Sequence, residues 1–190
     1  MELHLTGDEA ADSLLSTNPL ALLLGMVLDQ QIPLEWAFTG PSTLAARLGH
    51  DLDATELAAM DPAAFAALFT AKPALHRYPG SMATRCQSVC QVIVDEYDGD
   101  AAAIWETAPD GATLLKRMKA LPGFGDMKAK IFIALLGKQC ELSVPGWQDV
   151  AVPYSEPGSH RSVADIVDPA SLEAVRAFKA AMKQAAKAAT

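Results

Sequence analysis

The chain has 190 residues, enough for one domain that buries its own core without disulfides or metals. Apolar residues make up 51% and aromatics only 6%, a bias towards Ala, Leu, Val and Met that favours helix over strand. A net charge of −8 and a mean hydropathy of +0.15 argue against an ordinary basic nucleic-acid binder and against a membrane protein. Asn18-Pro19 reads as a cap followed by a first helical residue, opening a helix through about Gln31 that Pro33 stops. A second helix is expected from Leu34 to Leu48, closed by Gly49. Asp61-Pro62 opens a short helix, and Pro73 and Pro79-Gly80 bracket a loop, Ala74 to Tyr78. Met82, Cys86, Val89, Cys90, Ile93 and Tyr97 recur in steps of three and four, predicting a helix over Ser81 to Tyr97. A short helix near Ala101 to Thr107 precedes Thr113 to Leu121, the tight Pro122-Gly123-Phe124-Gly125, and a helix from Asp126 to Lys138. Residues 141–162 are rich in Pro, Gly and Ser, and Asp168-Pro169 opens a last helix over about 169–188. With no strand alternation and no internal repeat, the expected class is all-α in a single domain, 1–190.

The N-terminal residues show no basic stretch followed by an apolar core, so no secretory signal is expected. Three cysteines, Cys86, Cys90 and Cys140, are an odd number without paired spacing and suggest a reducing cytoplasm. Cys86 and Cys90 lie on the apolar stripe and read as buried thiols, while the four histidines are scattered and receive no role. Charge is unevenly placed. Residues 1–70 hold ten acids and one base, Arg47, whereas Lys116 to Lys138 holds six bases and one acid, Asp126. The last helix adds Arg176, Lys179, Lys183 and Lys187. The second half can hold a polyanion, although ordinary solvated helix faces give the same pattern.

The segment Leu121-Pro122-Gly123-Phe124-Gly125-Asp126-Met127-Lys128-Ala129 carries the chemistry. Its glycines permit a tight turn and close approach to another surface. The helix that follows starts with free amide N–H groups, a ready anion site, and Lys128 and Lys130 add positive charge beside it. A helix–helix turn without a ligand fits the pattern equally well.

This segment, within 113–138, resembles the hairpin of the helix-hairpin-helix–GPD DNA glycosylase superfamily, which reads L-P-G-hydrophobic-G-x-x-[TA]-A. Leu28-Asp29-Gln30-Gln31 resembles that superfamily's early helix pair, and Arg77 to Asp100 its helix before the hairpin. The nearest resemblance is to an uncharacterised subgroup sharing the Leu-Asp-Gln-Gln, Pro-Ala-Leu-His-Arg, Leu-Pro-Gly-Phe-Gly and Arg-Ser-Val-Ala-Asp strings. The resemblance implies a two-lobed helical fold with damaged DNA across the cleft. It implies base-excision repair by a DNA N-glycosylase acting as a cytoplasmic monomer, with no membrane partner. The hairpin would bind backbone phosphates through Leu121, Gly123, Phe124, Gly125, Lys128 and Lys130, often with a monovalent cation on its carbonyls. The target nucleotide would be flipped out, and Gln31 or Gln30 would fill the gap.

Three departures qualify this. The usual catalytic Asp, twenty residues after the second hairpin glycine, is replaced by Pro145; the nearest acid is Asp149, with Asp29 and Glu35 next in line. A carboxylate matters because breaking an N-glycosidic bond builds positive charge on the sugar. Met127 stands where bifunctional members carry a lysine, so a monofunctional enzyme without lyase activity is implied, alkylated bases being prominent substrates of such members. Lys128, one step of about 100° round the helix, is expected to face phosphate. Only Cys140 lies beyond the hairpin, so neither an iron–sulfur cluster nor another metal is expected. Trp147 is a candidate to stack on a flipped base. If the missing Asp means lost chemistry, the alternative is a non-catalytic DNA-binding protein of the same fold.

Overall fold

The computed structural model describes residues 2–188, and all regular structure among them is helical. α1 (Glu9–Thr17) and α2 (Pro19–Leu28) share Asn18, which ends the first and caps the second by accepting from the Ala21 amide at 3.0 Å. α2 is apolar all round, and every residue from Leu20 to Leu28 is buried. Such a helix must run through the core. α3 (Leu34–Leu48) lies against it at close range: a Cβ on Gly25 would sit 2.7 Å from the Phe38 ring, and one on Gly40 2.6 Å from Leu28.

α4 (Ala54–Ala59) and α5 (Pro62–Thr70) pack on α6 (Pro79–Tyr97), whose buried stripe is the one its spacing predicts. α7 (Ala103–Glu106) leads to the hairpin helices α8 (Gly111–Ala120) and α9 (Asp126–Gln139). Phe132 of α9 meets Trp105 and Phe124 edge-on, with ring centroids 5.8 and 6.0 Å away. α10 (Trp147–Val150) is a single turn, and a 3-10 turn, Val163–Asp165, docks on α9. There Lys138 reaches Asp165, whose carboxylate also accepts the Arg161 and Ser162 amides. α11 (Pro169–Ala188) follows.

The helix expected to reach Gln31 stops at Leu28, because Asp29 leaves helical geometry and Gln31 is left-handed at φ 59°. α1, α4 and α10 were not foreseen in the sequence. Among the described residues no single helix is long and apolar enough to cross a membrane.

Candidate nucleic-acid interface

The hairpin turn is built from the inside. Leu121 and Phe124 are buried, and the Phe124 amide donates to the Leu121 carbonyl at 3.0 Å. Both are expected to meet DNA through the backbone; their side chains anchor the turn in the core beside Phe132, because an apolar ring is more stable there than in water. What the turn exposes is Gly123 and Gly125. Gly123 has φ +86°, and a Cβ there would lie 2.4 Å from Cδ of Arg85. Gly125 has open space around it. As cap of α9 it offers no side chain, so no side-chain acceptor covers the first amides of that helix.

Lys128 does not face outward. Its Nζ donates to the Met26 and Val27 carbonyls at 2.8 and 3.1 Å. The C-terminal end of α2 presents unpaired carbonyls and a partial negative charge, which draw the ammonium in. Burial pulls the Lys128 pKa down to about 8, against the attraction of Asp29. Lys130 is paired as well: Asp126 accepts from it at 2.9 Å and from Lys119 at 3.0 Å, which holds the Asp126 carboxyl below its usual range. Such exposed pairs are weak, about 0–1 kcal/mol, so a phosphate can displace the carboxylate at little cost.

The structure separates the two glutamines. Gln30 is committed: Nε2 donates to the Val27 carbonyl at 2.8 Å, and Oε1 accepts from Arg85 at 2.9 Å. Gln31 is exposed on its left-handed backbone. Arg85 thus lies under Gly123 and against Gln30, while Lys128 joins α9 to the end of α2. Together they set the hairpin turn and Gln31 side by side.

His76, which showed no partner in sequence, braces this loop. It is buried, its Nδ1 accepts the Tyr78 amide at 3.0 Å, and its Nε2 donates to the Gln30 carbonyl at 2.9 Å. These two bonds fix the orientation of the ring. Trp36 and Tyr78 flank it with ring centroids 6.5 and 6.0 Å away, and the Arg77 guanidinium lies 4.9 Å over Tyr78. The signals in sequence were its place in a short Pro-bracketed loop and in the Pro-Ala-Leu-His-Arg string.

Beside Gln31 lies a cavity of about 360 Å³ with Ile32, Leu34 and Val175 in its apolar wall and Asp29, Glu35 and Lys179 among its polar groups. Burial raises the Asp29 carboxyl above its ordinary value, against the pull of Lys179 and Lys128. Arg176 of α11 pairs with Glu35 across the same cavity.

Asp149 and Trp147 are elsewhere. The Trp147 ring occupies the space a side chain at Gly137 would need, and the Pro145 carbonyl accepts the Gly111 amide at 2.8 Å. These contacts fix the segment at the start of α8 and the end of α9, about 18 Å along α9 from the hairpin turn at 1.5 Å per residue. Asp149 is exposed there, and Trp147 packs on the core rather than offering a free face. Asp149, expected as the catalytic carboxylate, and Trp147, expected to stack on a flipped base, are thus placed together at the far end of α9 from the hairpin turn.

Among the described residues no group of three or more His, Cys, Asp or Glu side chains is placed to hold a metal ion. Cys86 and Cys90 are buried, and burial pushes both thiols up, that of Cys90 to about 12. Comparison of the chain with protein-family models, curated proteins and solved structures finds no match.

Proposed function

We propose that the chain is a helix-hairpin-helix–GPD-type DNA N-glycosylase of base-excision repair, acting as a cytoplasmic monomer on a damaged base without cutting the strand. The observation that carries this reading is one juxtaposition: the uncapped amides after Gly125, the exposed Gln31 and the cavity at Asp29, joined through Arg85, Gln30 and Lys128. In this reading the α9 amides take a backbone phosphate and Gln31 fills the gap left by the extruded nucleotide. The base enters the Asp29 cavity. The hairpin carbonyls suit a monovalent cation, since that of Leu121 spends one lone pair on the Phe124 amide and keeps the other. The protein's own groups do the remaining work.

Asp29 replaces Asp149 as the carboxylate. Water adds to the sugar carbon and gives its proton to the Asp29 carboxylate, the glycosidic bond breaks, and its electron pair leaves with the base. A carboxylate near that carbon stabilises the positive charge or orients the water. A carboxyl with raised proton affinity can also hand a proton to the leaving base. A cationic alkylpurine leaves without that proton, so 3-methyladenine or 7-methylguanine should be released before 8-oxoguanine.

Pro145 at the usual carboxylate position, and Asp149 far from the turn, favour a second reading: a DNA-binding protein of this fold without the chemistry. Base release from a lesion panel, with binding to an abasic-site analogue measured in parallel, tests both. The first reading expects methylpurine release that falls about 10²-fold in Asp29→Asn, the scale of losing one electrostatic stabiliser, with binding kept. Binding without release supports the second reading. Absence of both overturns the DNA assignment.

A further inference from the structure

α11 leaves the body of the protein early. Val175 is its buried anchor, and from Lys179 onward every described side chain is exposed. Four cations, Arg176, Lys179, Lys183 and Lys187, fall within about 80° of one another on this helix at 100° per residue. No acid follows Glu173, although the whole chain carries −8. Lysines four residues apart repel one another, so the stripe works against its own helix, and the surrounding alanines supply the propensity that holds it. A polyanion laid along the stripe removes that repulsion.

The stripe starts at the candidate interface. Arg176 is paired with Glu35, and Lys179 faces the cavity at Asp29, two residues before Gln31. From Lys179 to Lys187 it spans about 12 Å, and a duplex presents a phosphate on each strand about every 3.4 Å of its axis. The stripe therefore matches about three phosphates of one strand. A bilayer surface is the poorer fit, because beyond Phe178 the only large apolar side chain is Met182.

We propose that α11 is a rail for the phosphate backbone of the duplex flanking the lesion, extending the footprint beyond the hairpin. This rests on the DNA-binding reading above, and the test separates the two. Fluorescence anisotropy of an abasic-analogue duplex of about 20 base pairs is followed against salt for the wild type and for Lys183→Gln/Lys187→Gln. Each lost phosphate contact reduces the slope of log K against log salt by about 0.9, so the double variant should be shallower by about 2. Trimming about four base pairs from the end that α11 reaches, each end being shortened in turn, should abolish the difference. Equal slopes on the long duplex overturn the rail while leaving salt-dependent binding by the wild type intact. A difference that survives trimming at both ends shows a general charge effect and also overturns it. Absence of salt-dependent binding by the wild type defeats the DNA-binding reading itself.

Discussion

Gly123 and Gly125 stand two residues apart in one turn and answer to different constraints. Gly123 has a left-handed backbone and Arg85 packed where a Cβ would go, so Gly123→Ala strains the turn and displaces the guanidinium that holds Gln30. It should lower stability by about 1–3 kcal/mol, read as a fall in Tm. Gly125, at φ −85° with open space, accepts valine without strain, and Gly125→Val should unfold with the wild type. Lys128 makes a pH prediction. Its pKa is about 8 in the folded protein against an ordinary 10.5, so between those values the unfolded chain holds a proton that the native state has lost. Stability contributed by this group therefore rises with pH across that window. Denaturant unfolding at pH 8 and pH 10.5 should show that rise in the wild type and its loss in Lys128→Met. At the neighbouring position, Met127 offers no amine and the Lys128 amine is held on two carbonyls, so borohydride should trap no protein–DNA adduct.

At the scale of elements, most helix ends were legible because their signals are local. Asn18, Asp61 and Asp168 each accept an amide from the first turn that follows, and Gly49 closes α3 at φ +84°. The end of α2 was not legible. The loop that stops it is held by His76, Arg85 and Lys128, respectively 46, 55 and 102 residues from the atoms they bind, and no window of sequence contains such partners. The same limit misplaced Asp149: its distance from the hairpin is set by Trp147 lying over Gly137 and by Pro145 accepting from Gly111. That packing is testable. Alanine is the better helix former by about 1 kcal/mol, yet a Cβ on Gly137 would lie 2.4 Å from the Trp147 ring. Gly137→Ala should therefore destabilise the protein by about 1–3 kcal/mol in denaturant unfolding, with DNA affinity unchanged.

The whole molecule sets an acidic first half against a second half with two basic stretches, and its fold turns part of each towards one face. The hairpin glycines could be named from sequence because their residue type suits a tight turn, and Gln30 and Gln31 only through the resemblance of Leu28-Asp29-Gln30-Gln31 to an early helix pair. Asp29 could be named only as a reserve, since its burial beside Lys128 and Lys179 depends on three elements meeting. In the proposed complex the inward turn of Lys128 leaves backbone amides, rather than lysines, as the main phosphate ligands at the hairpin. Neutral amides release few counterions, so the salt slope on a duplex should come from the cations around the turn and along α11 rather than from the hairpin itself. Those amides, opened by the absence of a side chain at Gly125, are what we propose holds DNA. Anisotropy of an abasic-analogue duplex at low salt, wild type against Gly125→Val at matched Tm, tests it most directly. Gly125→Val should bind about 10²-fold more weakly, the loss of about two charge-assisted hydrogen bonds at about 1.5 kcal/mol each. Affinities equal within about twofold, on a scale where tenfold is about 1.4 kcal/mol, would contradict it.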